Sequence, residues 1–160
     1  MDQAAQDLYE TGFYAWARHQ AEALRRLEGL RLDADLDLDH VAGEIDDLGN
    51  ALRRAVRSQV RCILEHFLKL AFSPAQQPRG GWERSIIDAR TELSGDLTRT
   101  LRNALLGELD RLYAQTRKAA AKDLENEGAP EAARLLPETC PWSLDGILRD
   151  DWYPAPPAAG

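Results

Sequence analysis

Cysteine occurs twice in this chain of 160 residues, at Cys62 and Cys140. Two thiols are too few for a disulfide framework, and Cys62, set among apolar residues at helical spacing, reads as a buried reduced thiol. No window approaches the ~18 to 20 consecutive apolar residues that span a bilayer, which argues against a membrane segment. The opening residues, MDQAAQD, lack the basic stretch and apolar run of a secretory signal, so the expected location is the cytoplasm. Positive charge is in the minority: Lys and Arg number 20 against 27 Asp and Glu, a net −7. That balance disfavours nonspecific contact with phosphate backbones. There is no Gly-rich phosphate loop, no Gly-x-Ser-x-Gly and no CxxC, which points away from common nucleotide-binding and hydrolase classes. No run alternates as a strand does, and no internal repeat is evident.

The most informative stretch runs from Asp37 to Phe72 and contains no proline. Apolar residues return in it by threes and fours: Val41, Ile45, Leu48, Leu52, Val56, Val60, Ile63, Phe67 and Leu70. That rhythm describes one buried face of a single long helix. Asp37 or Asp39 caps its start, where a carboxylate accepts free backbone N–H groups. Gly43 and Gly49 each cost ~1 kcal/mol relative to Ala within a helix. They permit either a bend near Gly49-Asn50 or a close approach of a neighbouring helix. Ser73-Pro74 ends the run, because the residue before proline avoids helical angles.

Before it, a first helix is expected from Gln3 to Leu27, with Tyr9, Phe13, Trp16, Gln20, Leu24 and Leu27 as the core face and Gly29 as the stop. The segment Leu30 to Leu36 turns the chain. After it, a third helix starts at Trp82 and continues through Leu101, with Asn103 as the candidate break. A fourth runs from Leu105 to Asn126 and ends at Glu127-Gly128. Pro130 to Leu136 forms a brief helix with proline at its first position. Ser143 caps another from Leu144 to Arg149, and Leu144, Ile147, Leu148, Trp152 and Tyr153 fold back as core. The expected fold is all-α: an antiparallel four-helix-type bundle with one very long second helix and a short helical C-terminal appendage. Residues 1–153 form one helical domain and 154–160 a disordered Pro/Ala tail.

One arrangement hints at chemistry. His40, Glu44 and Asp47 share a flank of the long helix, spaced so that one divalent ion could reach all three. In a hairpin about residues 30–36, His19 comes opposite Asp46 and Asp47, and Glu22 opposite Gly43 and Glu44. His19, Glu22, His40, Glu44 and Asp47 are therefore the candidate metal ligands, since bundle metal sites are built from facing helices; the alternative is a set of solvated charges. His66 falls opposite Asp88 and Arg90 about Gln77, either hydrogen-bonded across helices or oriented by Asp88 as a base. Cys140 precedes a helix start, where a dipole can acidify a thiol; a structural role is the simpler reading. Arg53, Arg54, Arg57 and Arg61 are spread around the long helix as a solvated face rather than a nucleic-acid patch.

Five segments in order also resemble a bacterial family known as domain of unknown function 29. They are Phe13-Tyr14-Ala15-Trp16-Ala17, Asp39 to Gly49, His66-Phe67-Leu68-Lys69, Trp82-Glu83-Arg84-Ser85-Ile86, and Glu138 to Leu144. The resemblance covers roughly residues 7 to 153. It implies an all-helical fold and carries no activity. Glu44-x-x-Asp47 is also similar to half of the carboxylate motif in all-α nucleoside triphosphate pyrophosphatases, for which Glu92 and Asp96 would be the second pair. The expected function is a non-catalytic protein-interaction module, with a protein partner or self-association and no cofactor. The alternatives are a metal-binding bundle or Mg/Mn-dependent hydrolase, and a nucleic-acid-associated regulator.

Overall fold

The computed structural model describes residues 7–9, 12–28 and 37–157. Its elements are α1 (Phe13–Glu28), α2 (Leu38–Phe72), α3 (Arg79–Asp96), α4 (Arg99–Asn126), α5 (Pro130–Arg134) and α6 (Leu144–Leu148), with no strand among the described residues. Asp7, Leu8 and Tyr9 are also helical. The expected start at Gln3, the stop at Gly29 and the connection at 30–36 lie outside the described residues. The chain divides into two compact units, residues 1–56 with 97–103, and residues 57–96 with 104–160. The second helix is therefore shared by both.

In the first unit α1 and the start of α2 form an antiparallel hairpin. The Asp37 carboxylate caps α2 by accepting from the His40 N–H at 3.2 Å. Tyr14, Ala17 and Ala21 of α1 are buried, with Ala42 and Gly49 of α2. A methyl group added at Gly49 would stand 3.2 Å from the Ala17 side chain. Gly49 thus marks a close helix–helix approach, and α2 continues through it as one helix.

In the second unit the expected α2 face holds: Val60, Ile63, Phe67 and Leu70 are buried. They join Trp82, Ile86 and Leu93 of α3 and Leu105, Leu112 and Leu124 of α4 as buried core residues. The break between α3 and α4 falls at Leu97-Thr98, not at Asn103. Thr98 decides this, because its hydroxyl accepts from the Leu101 N–H at 3.3 Å and starts a new helix. Gly128, with φ of +81°, closes α4. The Ala129 N–H reaches back to the Leu124 carbonyl at 2.8 Å and Gly128 to Glu125 at 3.1 Å, the paired bonds of a glycine C-cap. Proline begins α5, and the Ser143 hydroxyl accepts from the Gly146 N–H at 3.2 Å to cap α6.

The C-terminal segment is pinned at two places. Arg90 of α3 is 4% exposed. Its guanidinium donates to the backbone carbonyls of Ile147 at 3.0 Å, Asp150 at 3.2 Å and Trp152 at 3.0 Å. It also lies over the Phe67 and Tyr153 rings, 5.4 and 5.3 Å from their centres. Trp142 and Trp152 meet Phe67 edge-on. Further along, the Tyr113 hydroxyl donates to the Pro137 carbonyl at 2.7 Å, and burial pushes its pKa up to about 12. Arg117 holds the Leu136 carbonyl at 3.0 Å.

Arg90→Ala should therefore cost about 3 to 5 kcal/mol, read by urea unfolding, because three carbonyls lose a charged donor together. Arg90→Lys should recover little, since one ammonium cannot reproduce the planar fork. A cost below about 1 kcal/mol for Arg90→Ala would contradict this role.

Candidate functional site

The five candidate ligands lie at one end of the hairpin without gathering. Among the described residues no group of three or more His, Cys, Asp or Glu side chains could hold a metal ion. Asp46, expected opposite His19, instead takes Arg25 at 2.8 Å. Glu22 lies 3.9 Å from Arg18 on its own helix. His40 pairs with the Asp37 carboxylate, which raises the imidazole pKa. Glu44 and Asp47 are exposed. At about 100° per residue, His19 and Asp47 each point more than about 150° away from the side of their helix that meets the other. Their level along the hairpin is shared; their faces are not.

The second unit holds the other titratable candidates. Asp88 is occupied by Arg84 at 3.0 Å, so it does not orient His66. The His66 Nδ1 is buried with no hydrogen-bond partner, and burial lowers the imidazole pKa. Burial likewise raises the pKa of Cys62 and Cys140, and the Cys140 thiol donates to the Trp142 carbonyl at 3.2 Å. That is the reverse of an acidified nucleophile. Lys69 is buried between Glu65 at 3.2 Å, Asp123 at 3.0 Å and Glu127 at 3.9 Å. Burial opposes its charge, but the carboxylates outweigh that and raise its pKa. A cavity of about 220 Å³ is lined by Ile87, Arg90, Thr91, Ser94 and Asp150. Its two hydroxyls are spent on backbone carbonyls of their own helix. Of the arginine run, Arg53 donates to the Tyr14 hydroxyl at 3.4 Å and Arg57 pairs with Glu108 at 3.1 Å. Only Arg54 and Arg61 remain exposed.

What distinguishes the first unit is the fate of its large apolar residues. Leu48 is 58% exposed, Tyr9 55% and Val41 42%. Leu27 is exposed as well, and Phe13, Trp16, Leu24, Ile45 and Leu52 are only half-buried. These are the residues that periodicity assigns to the core. Tyr9, Phe13 and Trp16 pack on one another, with ring centres 5.0 to 6.4 Å apart. In α1 the stripe Phe13, Trp16, Leu24 and Leu27 is centred about 90° from the buried Tyr14, Ala17 and Ala21. In α2 the stripe Val41, Ile45, Leu48 and Leu52 is centred about 80° from Ala42 and Gly49. Both offsets run the same way along the chain. Because the helices are antiparallel, that places both stripes on the same side of the hairpin. The Arg25–Asp46 pair bridges the opposite side.

The family profile described as domain of unknown function DUF29 matches residues 8–153. The chain belongs to this family. Among solved structures, the DUF29 chain is similar to an alpha-helical protein of unknown function from Rhodospirillum rubrum ATCC 11170. The two are 28% identical with a TM-score of 0.75, over 89% of this chain and 90% of the other. No curated protein matches. The segments containing Phe13, Trp16, Val41 and Leu48 all fall within the matched span. No helix among the described residues is long and apolar enough to cross a membrane.

The half-buried imidazole of His66 gives the second unit a pH signature. The folded-state pKa of His66 lies below its ordinary 6.5. The unfolded chain therefore takes up the proton first as pH falls. The contribution is complete above 6.5 and is lost as pH drops through the depressed folded-state value. Urea unfolding of the wild type should show stability falling in that window, and His66→Gln should flatten the slope; an unchanged slope would contradict it.

Proposed function

We propose that this DUF29 chain is a non-catalytic protein-interaction module, and that its docking element is the apolar side of the α1–α2 hairpin. One observation carries the reading: large aromatic and aliphatic side chains from two helices are aligned on one side, some exposed and the rest only half-buried. Contiguous apolar patches of several hundred Å² on a folded chain mark interaction surfaces. Tyr and Trp are the residue types enriched in such interfaces. The other exposed large residues, Ile87, Leu106 and Leu135, belong to the second unit. Single exposed apolar residues need no explanation. Burial holds both thiols protonated, and Glu22, Asp46 and Asp88 are paired with arginine, which favours binding over catalysis.

Leu48→Glu tests this without disturbing the fold, because the side chain is already more than half exposed. Pull-down from the native host with the wild type and with Leu48→Glu should recover a protein, this chain or another, that the variant loses. Identical recoveries from both would remove the hairpin side as the docking element.

A further inference from the structure

We infer that the occupant of the hairpin's apolar side is a second copy of this chain, seated by a two-fold axis parallel to the helices. This deepens the interaction reading and rests on it. The axis sets α1 of each copy over α2 of the other, giving an intermolecular antiparallel four-helix bundle. The two stripes of each copy become its core: Phe13, Trp16, Leu24 and Leu27 from α1 against Val41, Ile45, Leu48 and Leu52 from the second copy's α2.

Charge complementarity argues for this occupant and this orientation. Helix α1 carries three arginines, Arg18, Arg25 and Arg26, against two glutamates, Glu22 and Glu28. The first turns of α2, from Leu38 to Leu52, carry four carboxylates, Asp39, Glu44, Asp46 and Asp47, with no lysine or arginine. A hairpin made of one basic and one acidic helix is its own complement when α1 faces α2 across the axis. The antiparallel contacts within the hairpin, Ala17 beside Gly49 and Arg25 beside Asp46, fix the level at which the copies meet.

Size agrees with a pair. Sixteen residues of α1 span about 24 Å, and two packed helices are about 20 Å across. The side is then about 500 Å² per copy, or about 1,000 Å² for the pair, which reaches the lower range of specific interfaces. The free side begins beyond Gly12, which packs against Thr98.

Sedimentation equilibrium of the full chain from about 1 to 100 µM should approach twice the 17.9 kDa chain mass. Leu48→Glu should weaken the association more than about 100-fold while leaving the far-ultraviolet circular dichroism unchanged. Leu135→Glu, at an exposed site of the second unit, should leave it unaltered. A single-chain mass throughout the range would overturn the inference. So would a dimer that survives Leu48→Glu. A single-chain mass together with a different protein captured in a Leu48-dependent manner would overturn self-association and leave the interaction reading standing.

Discussion

Small side chains set how closely α1 and α2 approach, with the Tyr14 ring packed beside them against Gly49. The contact is made by Ala17, Ala21, Ala42 and Gly49, and a single added methyl at Gly49 already meets Ala17 at 3.2 Å. Axial separation follows from the side chains at the crossing. Small residues there bring the backbones together and turn the bulky residues aside by roughly a quarter turn. The aligned apolar side of the hairpin is the direct consequence. A leucine in place of Gly49 would force the helices apart.

The second unit solves a different problem, that of securing a segment with little regular structure of its own. From Leu135 to Tyr153 the chain has only one helix, α6. Its backbone carbonyls need donors, since buried unpaired polar groups are costly. Arg90 supplies three hydrogen bonds, and Tyr113 and Arg117 supply the rest of the anchorage. The aromatic contacts of Phe67 with Trp142 and Trp152 fill the space around the guanidinium. Lys69 plays the analogous part for α4, neutralised by three carboxylates. In this unit the unusual residues serve the fold, and their perturbed pKa values follow from that service.

Much of the architecture was legible in the residues. Helix type, the unbroken run through Phe72, the proline start of α5, the Ser143 cap and the Gly128 stop all follow from local stereochemistry. The break at Thr98 was not read because Leu97 and Leu101 keep the apolar period across it; only the threonine hydroxyl marks the new start. For the candidate ligands the sequence spoke to level along the hairpin and not to face. His19 and Asp47 do share a height on the hairpin, but helix rotation turns them outward, and Arg25 takes the acidic partner. Nor could spacing reveal that Leu48 and Val41 are exposed, because apolar period reports which residues avoid water and not what covers them.

Sequence by itself determined the all-α class, several of the helix starts and stops, and which residues are apolar on each helix. Those properties are local: periodicity, capping and the constraints on proline and glycine act within a few residues. Tertiary structure decided which small residues meet, and hence which side of the hairpin stays open. It also decided that an arginine on α3 reaches carbonyls some sixty positions further on. Both depend on rotation about helix axes and on contacts between distant segments, which only packing fixes.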